Sequence, residues 1–155
     1  YVEDGYDAIG NFCLEMGLEE ELEEYRRRSL EVSKNYWFIE DSSQLNARDR
    51  LSFDDRLTEE RRERDTDFIK KTCGEILKVV YQVKKEIKEG YFVSVFIVGF
   101  DRCADEAEID NCMQKIFRYL DTVPEDWQYS LFRLDDSIEK YVKRVPGSKI
   151  YERAG

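Results

Sequence analysis

The stretch YFVSVFIVGFD, residues 91–101, has no charged side chain before its last residue, although 39% of the chain is charged. Both sets of alternate positions are almost wholly apolar: Tyr91, Val93, Val95 and Ile97 form one face, and Phe92, Phe96, Val98 and Phe100 the other. A strand that is apolar on both faces is covered on both faces, as in the centre of an α/β sheet. The stretch therefore predicts a buried central strand over residues 91–100.

The segment before this strand has the periodicity of an amphipathic helix. Apolar side chains recur at spacings of three and four over residues 66–89, at Phe68, Ile69, Cys73, Ile76, Leu77, Val80, Val83 and Ile87. Gly90 follows, at the position where a glycine commonly ends a helix. We therefore predict one helix over residues 66–89 that leads into the central strand.

The amino-terminal third predicts a helical hairpin followed by a strand and a loop. Helical periodicity on both sides of Gly17 places the hairpin in residues 1–35. The aromatic run 36–39 predicts a short strand, and the polar residues 41–52 predict a mobile loop. The next helix is expected to begin at the capping-box spacing Ser52-x-x-Asp55 or, after a break, at Thr58.

The carboxyl-terminal part continues the alternation of helices and strands. A helix is predicted over 104–123, a strand over 126–134, a short helix over 135–145 and an edge strand over 148–153. Strands separated by helices indicate a largely parallel sheet. The whole chain, 1–155, therefore predicts one α/β domain: a small sheet of three to four strands, with helices on both faces and the hairpin packed on it.

Acidic residues follow each predicted strand. The members of this set are Glu40 and Asp41 after the first strand, Asp101 after the second, and Asp135 and Asp136 after the third. Parallel strands end at one edge of a sheet, where such folds bind ligands, and Mg²⁺ prefers oxygen ligands. Glu40, Asp101, Asp135 and Asp136 are thus candidate magnesium ligands of a phosphoryl-transfer or phosphodiester-cleaving enzyme. The competing and favoured interpretation is that Asp101 and Asp135 or Asp136 are helix N-caps.

Net charge favours a basic protein as the partner. The chain carries −10 at pH 7, and its basic runs at 26–28 and 61–64 adjoin glutamates, so binding to a phosphate backbone is not expected. We expect an acidic protein-binding domain, of which an inhibitor or immunity-type protein that masks a basic partner such as a nuclease is one form. The candidate contacts are Glu19, Glu20, Glu21, Glu23, Glu24 and Asp41. A regulatory or docking domain of a longer polypeptide is the remaining alternative.

Catalytic motifs are scarce. The chain has no histidine, which removes Ser-His-Asp and Cys-His catalysis. Cys103 follows a predicted strand end beside Arg102, a setting that lowers a thiol pKa, but it has no histidine partner. The sequence therefore favours a non-enzymatic protein that needs no cofactor. Unpaired cysteines and the lack of a long apolar segment predict a cytoplasmic protein that does not enter a membrane.

Overall fold

The computed structural model describes residues 11–35, 45, 49–88, 90–122 and 129–153. The helices are α1 over 11–16, α2 (Glu19–Asn35), α3 (Glu59–Cys73), α4 (Glu106–Thr122) and α5 (Asp136–Val142). The strands are β1 (Arg50–Ser52), β2 (Leu77–Lys88), β3 (Tyr91–Phe100), β4 (Tyr129–Arg133) and β5 (Lys149–Glu152). A 3-10 turn, Gly74–Ile76, joins α3 to β2.

The sheet is mixed and mostly antiparallel. β3 lies between β2, which runs antiparallel to it, and β4, which runs parallel. At the other edge of β2, β1 pairs with residues 84–86 and β5 with residues 79–81, both antiparallel. The predicted parallel sheet of three to four strands is therefore wrong: five described strands form the sheet, and only β3 and β4 are parallel.

The error arises in residues 66–89, which do not form one helix. α3 ends at Cys73, and β2 then pairs with β3 as a hairpin that turns at Gly90, whose φ of 79° favours glycine. A register shift between Leu77 and Val79 places Leu77 and Val80 in the same core, so strand residues imitate the helical spacing of three. Both faces of β2 are buried, so apolar and polar residues do not alternate along it. The two-residue period that would indicate a strand is therefore not visible in the sequence.

Near the start of α3 one smaller prediction is wrong, and of the two predicted helix starts the one at Thr58 is confirmed. Residues 50–52 form β1 rather than part of a loop over 41–52. Thr58 is the N-cap of α3, where its side chain accepts a hydrogen bond from the backbone amide of Arg61 at 3.1 Å, so the helix does not begin at Ser52. The predicted strand at 36–39 lies outside the described residues.

The sheet separates two hydrophobic clusters. One contains residues of α1, α2 and α5 with β2 and β3, and includes Leu14, Leu22, Val83, Val95 and Val142. The other contains residues of α3 and α4 with the opposite side of the same strands, and includes Ile69, Val80, Phe96, Cys112 and Ile116. Since β3 contributes to both, its apolar character on both faces is explained.

Gly99 lies in β3 against two side chains, Val79 of β2 and Leu134, which is the residue after β4. A β-carbon there would lie 2.6 Å from Val79 Cγ1 and 2.9 Å from Leu134 Cδ2. We expect Gly99→Ala to lower the free energy of unfolding by about 1–3 kcal/mol, because the stiff Val79 side chain must shift. Urea denaturation followed by circular dichroism measures the change. The same substitution in a Val79→Ala background should cost less, and an equal cost in both backgrounds would contradict the steric explanation.

Candidate functional site

Of the three strand ends that were predicted to carry acidic residues at one sheet edge, two lie among the described residues. At one of these ends Asp101 is bound by an arginine. Asp101 and Asp135 follow the parallel strands β3 and β4, whereas Glu40 lies outside the described residues. Asp101 Oδ2 and Oδ1 accept hydrogen bonds from the Arg153 guanidinium at 2.7 and 2.8 Å. This hydrogen bonding lowers the pKa of Asp101 below its ordinary value. The carboxylate therefore fastens the segment after β5 to the end of β3.

Asp135 has the capping role that the sequence predicts. Its Oδ1 accepts a hydrogen bond from the Ile138 amide at 2.8 Å, and its backbone conformation is extended, so the N-cap interpretation is confirmed at Asp135. Asp136 lies in the first turn of α5. The same interpretation is wrong for Asp101, because α4 begins at Glu106. Within the described ranges, no three His, Cys, Asp or Glu side chains are grouped to hold a metal ion.

The acidic residues of α2 are largely paired within the molecule. Glu19 accepts a hydrogen bond from Arg144 at 2.6 Å, Glu23 pairs with Arg50, and Glu24 pairs with Arg27 and Arg28 at 2.7 and 3.2 Å. Glu20 and Glu21 are exposed and make no ion pair with another described residue. Asp41 lies outside the described residues. The predicted contact surface on α2 thus contains nearly as many cations as carboxylates.

The basic run at 61–64 does not form a basic patch. Arg61 is buried, and its Nε donates to Asp65 Oδ2 at 2.8 Å. Arg62 Nη1 donates to the backbone carbonyls of Asp54 and Leu57 at 3.0 and 2.9 Å. Arg64 alone of the three is exposed. In the folded chain Arg61 and Arg62 therefore bind to groups within the protein, and Arg64 is the member of this run that faces solvent.

A different surface, the α3–α4 groove, combines charged and aromatic residues. It is an open groove of about 510 Å³ along α3, lined by Glu60, Glu63, Arg64, Asp67, Phe68, Lys71 and Tyr119. The lining residues on α3 form two rows in which residues are four positions apart. One row is Glu60, Arg64 and Phe68, and the other is Glu63, Asp67 and Lys71. Such rows are the ridges between which another helix packs. In the sequence, Phe68 and the basic run 61–64 stand out only as part of an apolar periodicity and as a charge cluster, and neither indicates this groove.

No family model, curated protein or solved structure matches the chain. Cys103, the candidate nucleophile, is an exposed thiol in the turn between β3 and α4. Among the helices that the structure describes, none has the length and apolar character to cross a bilayer.

Phe68 and Tyr119 form the aromatic floor of the α3–α4 groove, and buried polar residues beneath them hold Tyr119 in place. The rings of Phe68 and Tyr119 stack with centroids 4.0 Å apart and an interplanar angle of 13°. The Tyr119 hydroxyl donates to Asp65 Oδ1 at 2.7 Å, and burial together with this hydrogen bond raises the pKa of Tyr119 to about 12. Arg61 Nη2 in turn donates to the Tyr129 hydroxyl at 2.6 Å. The groove therefore presents a rigid, uncharged aromatic pair at neutral pH.

The exposed rim of the α3–α4 groove carries three carboxylates and two cations. Glu60 and Asp67 are seven residues apart, which is about 10 Å along a helix axis. Aromatic rings and carboxylates both favour ammonium and guanidinium groups. With an aromatic floor and charged walls, the groove can bind a protein segment by packing and ion pairing.

Proposed function

We propose that this protein binds another protein, and that the α3–α4 groove is the binding surface. The observation that supports the proposal is the stacked Phe68–Tyr119 pair, held in place by Asp65 and bordered by exposed carboxylates. A preorganised aromatic surface lowers the entropy lost on binding, because its side chains are already ordered. Aromatic residues are also enriched in the cores of protein interfaces.

The partner segment is expected to be helical and to carry cations two turns apart. Its cations would then face Glu60 and Asp67, while an apolar residue beside the cation that faces Asp67 contacts Phe68, the next residue along α3. An inhibitor that masks a basic protein would use such a surface. Electrostatic complementarity of this kind sets specificity and the rate of encounter more than it adds affinity.

A peptide titration tests the proposal. The probe is a fluorescein-labelled helical peptide with two arginines seven residues apart and a leucine directly outside one of them. A matched peptide carries glutamates in place of the arginines. We expect the arginine peptide to bind in a salt-dependent manner, and the double variant Glu60→Lys/Asp67→Lys to weaken binding by about tenfold or more. Fluorescence anisotropy gives the dissociation constant.

Exposed glutamates on α2 provide the matched control. The double variant Glu20→Lys/Glu21→Lys changes the net charge by the same amount but leaves the α3–α4 groove intact. It should therefore alter the dissociation constant by less than about twofold. If the α2 variant weakened binding as much as the α3 variant, net charge rather than the groove would be responsible. If only the α2 variant weakened it, the binding surface would be on α2.

A further inference from the structure

We infer that the α3–α4 groove is occupied by the same groove of a second copy of this chain, with the two α3 helices antiparallel. This inference rests on the proposed function and names the partner at that surface. Charge complementarity points to this partner, because the groove carries cations, Arg64 and Lys71, at positions that can face its carboxylates Asp67 and Glu60. A two-fold interface requires a self-complementary surface, and the order of charges along α3 provides one.

The register follows from placing the two-fold axis midway along the exposed face of α3. In an antiparallel pair centred between Arg64 and Asp67, Glu60 of one copy faces Lys71 of the other, and Arg64 faces Asp67. Symmetry repeats each pair, so four opposite-charge contacts form. No like charges face each other among these four positions, and the remaining carboxylate, Glu63, faces Phe68 of the other copy.

The shape of the surface agrees with this register. α3 has 15 residues, about 22 Å of helix, so the outer pairs lie roughly 8 Å from the axis. Helices that cross at about 20° stay within side-chain reach over that distance. Phe68 and Tyr119, which are half-buried in one copy, would be covered by the second. In this register the Arg64–Asp67 pairs lie nearest the two-fold axis, Phe68 lies just outside them, and the Glu60–Lys71 pairs lie at the ends of the interface.

The negative net charge of each copy opposes this association, so the strength of the dimer should depend on the salt concentration. Each copy carries −10, so distant charges repel, whereas the facing pairs are in contact. At about 0.1–0.15 M salt the screening length is about 8–10 Å, which weakens the distant repulsion more than the contacts. Exposed ion pairs are individually weak, so a reversible, concentration-dependent dimer is expected rather than a permanent one.

Charge reversal within one chain tests the register. Sedimentation equilibrium is measured on the full chain, on Glu60→Lys, on Lys71→Glu and on the double variant. Each single variant creates two like-charge contacts per dimer and should weaken dimerisation by about tenfold. The double variant exchanges the charges and should dimerise within about twofold of the unmodified chain. Circular dichroism verifies that these exposed substitutions leave the fold intact.

A mixture of the two single variants provides an independent test. When a Glu60→Lys chain meets a Lys71→Glu chain, every facing pair is again of opposite sign, so the mixed dimer should be tighter than either variant alone. Repulsion between net charges gives a different order, in which Glu60→Lys strengthens and Lys71→Glu weakens association. That order, or a chain that stays monomeric at millimolar concentration, would overturn the inference. The arginine-peptide titration would still decide the proposed function separately.

Discussion

Replacing Asp54 with alanine is expected to lower the free energy of unfolding by about 3–5 kcal/mol, because it removes a fully buried carboxylate that pairs with the partly buried Arg56 and holds a network of hydrogen bonds. Asp54 is fully buried (0% exposed) in the segment between β1 and α3. Its carboxylate binds Arg56 through Nε at 2.9 Å and Nη2 at 3.0 Å. A loss this large would exceed that of most single substitutions.

The same carboxylate joins the loop to the sheet. Asp54 Oδ2 accepts hydrogen bonds from Ser94 Oγ at 2.7 Å in β3 and from Gln82 Nε2 at 3.0 Å in β2. Gln82 Oε1 is buried and has no hydrogen-bond partner among the described residues, so Asp54 holds this amide through its nitrogen. Alanine at position 54 would leave these groups buried without their acceptor, which adds a desolvation cost.

Asp55 is the matched control for this substitution. It is the next residue, it is also an aspartate, and it makes an exposed ion pair with Lys84 at 2.8 Å. Asp55→Ala should therefore cost no more than about 1 kcal/mol. Urea denaturation of both variants gives the comparison, and similar losses at positions 54 and 55 would contradict the role assigned to the buried network.

The contribution of Asp54 should also depend on pH. Burial alone would raise the pKa of Asp54, but hydrogen bonds from Arg56 and Ser94 lower it below its ordinary value of 3.8. Its stabilising effect is thus complete above about pH 3.8 and is lost as the pH falls through the lower folded pKa. The difference in unfolding free energy between the unmodified chain and Asp54→Asn should shrink below about pH 3.8. Other carboxylates titrate alike in both proteins, so this difference isolates Asp54.

The strand β3 could be predicted correctly because its own residues, without the rest of the chain, indicate a buried strand. β3 is apolar on both faces over ten residues, and it lies inside the sheet with most of its residues buried. β2 was assigned to a helix because its apolar residues recur at the helical spacing, while burial of both its faces hides the two-residue period of a strand. The register shift near Leu77 depends on pairing with β3 and cannot be read from local sequence. Helix period and strand period cannot be separated in a segment that is buried on both sides. The mixed topology was missed as a consequence.

The α3–α4 groove was harder to predict because it depends on which charged side chains are buried when α3 packs on the sheet. Nothing local distinguishes Arg61, which is buried against Asp65, from Arg64, which is exposed. The i,i+4 spacing of Arg61 and Asp65 and of Glu60 and Arg64 is equally regular. Only the position of α3 on the sheet selects the buried pair. Charge patterns along a helix therefore predict a set of candidate faces, and packing chooses among them.

Removing the carboxylate of Asp65 is the second substitution expected to have a large effect. Asp65 is fully buried (0% exposed), pairs with the buried Arg61, and accepts a hydrogen bond from Tyr119 at 2.7 Å. Asp65→Ala should lower the free energy of unfolding by about 3–5 kcal/mol, because Arg61 would keep its charge in the interior without this carboxylate. Urea denaturation measures the loss. Asp67→Ala, two residues along the same helix and exposed, should change it by no more than about 0.5 kcal/mol.

A double substitution separates the ion pair from the packing around it. Replacing a buried pair by apolar residues of similar volume is often neutral, whereas breaking it is costly. Arg61→Met/Asp65→Leu should thus be more stable than Asp65→Ala, although Tyr119 and Tyr129 lose hydrogen bonds. If the double variant were the less stable of the two, Arg61 and Asp65 would contribute mainly through these tyrosines. In that case the Asp65 carboxylate would stabilise the fold chiefly through its hydrogen bond from Tyr119, which also orients the ring that stacks on Phe68.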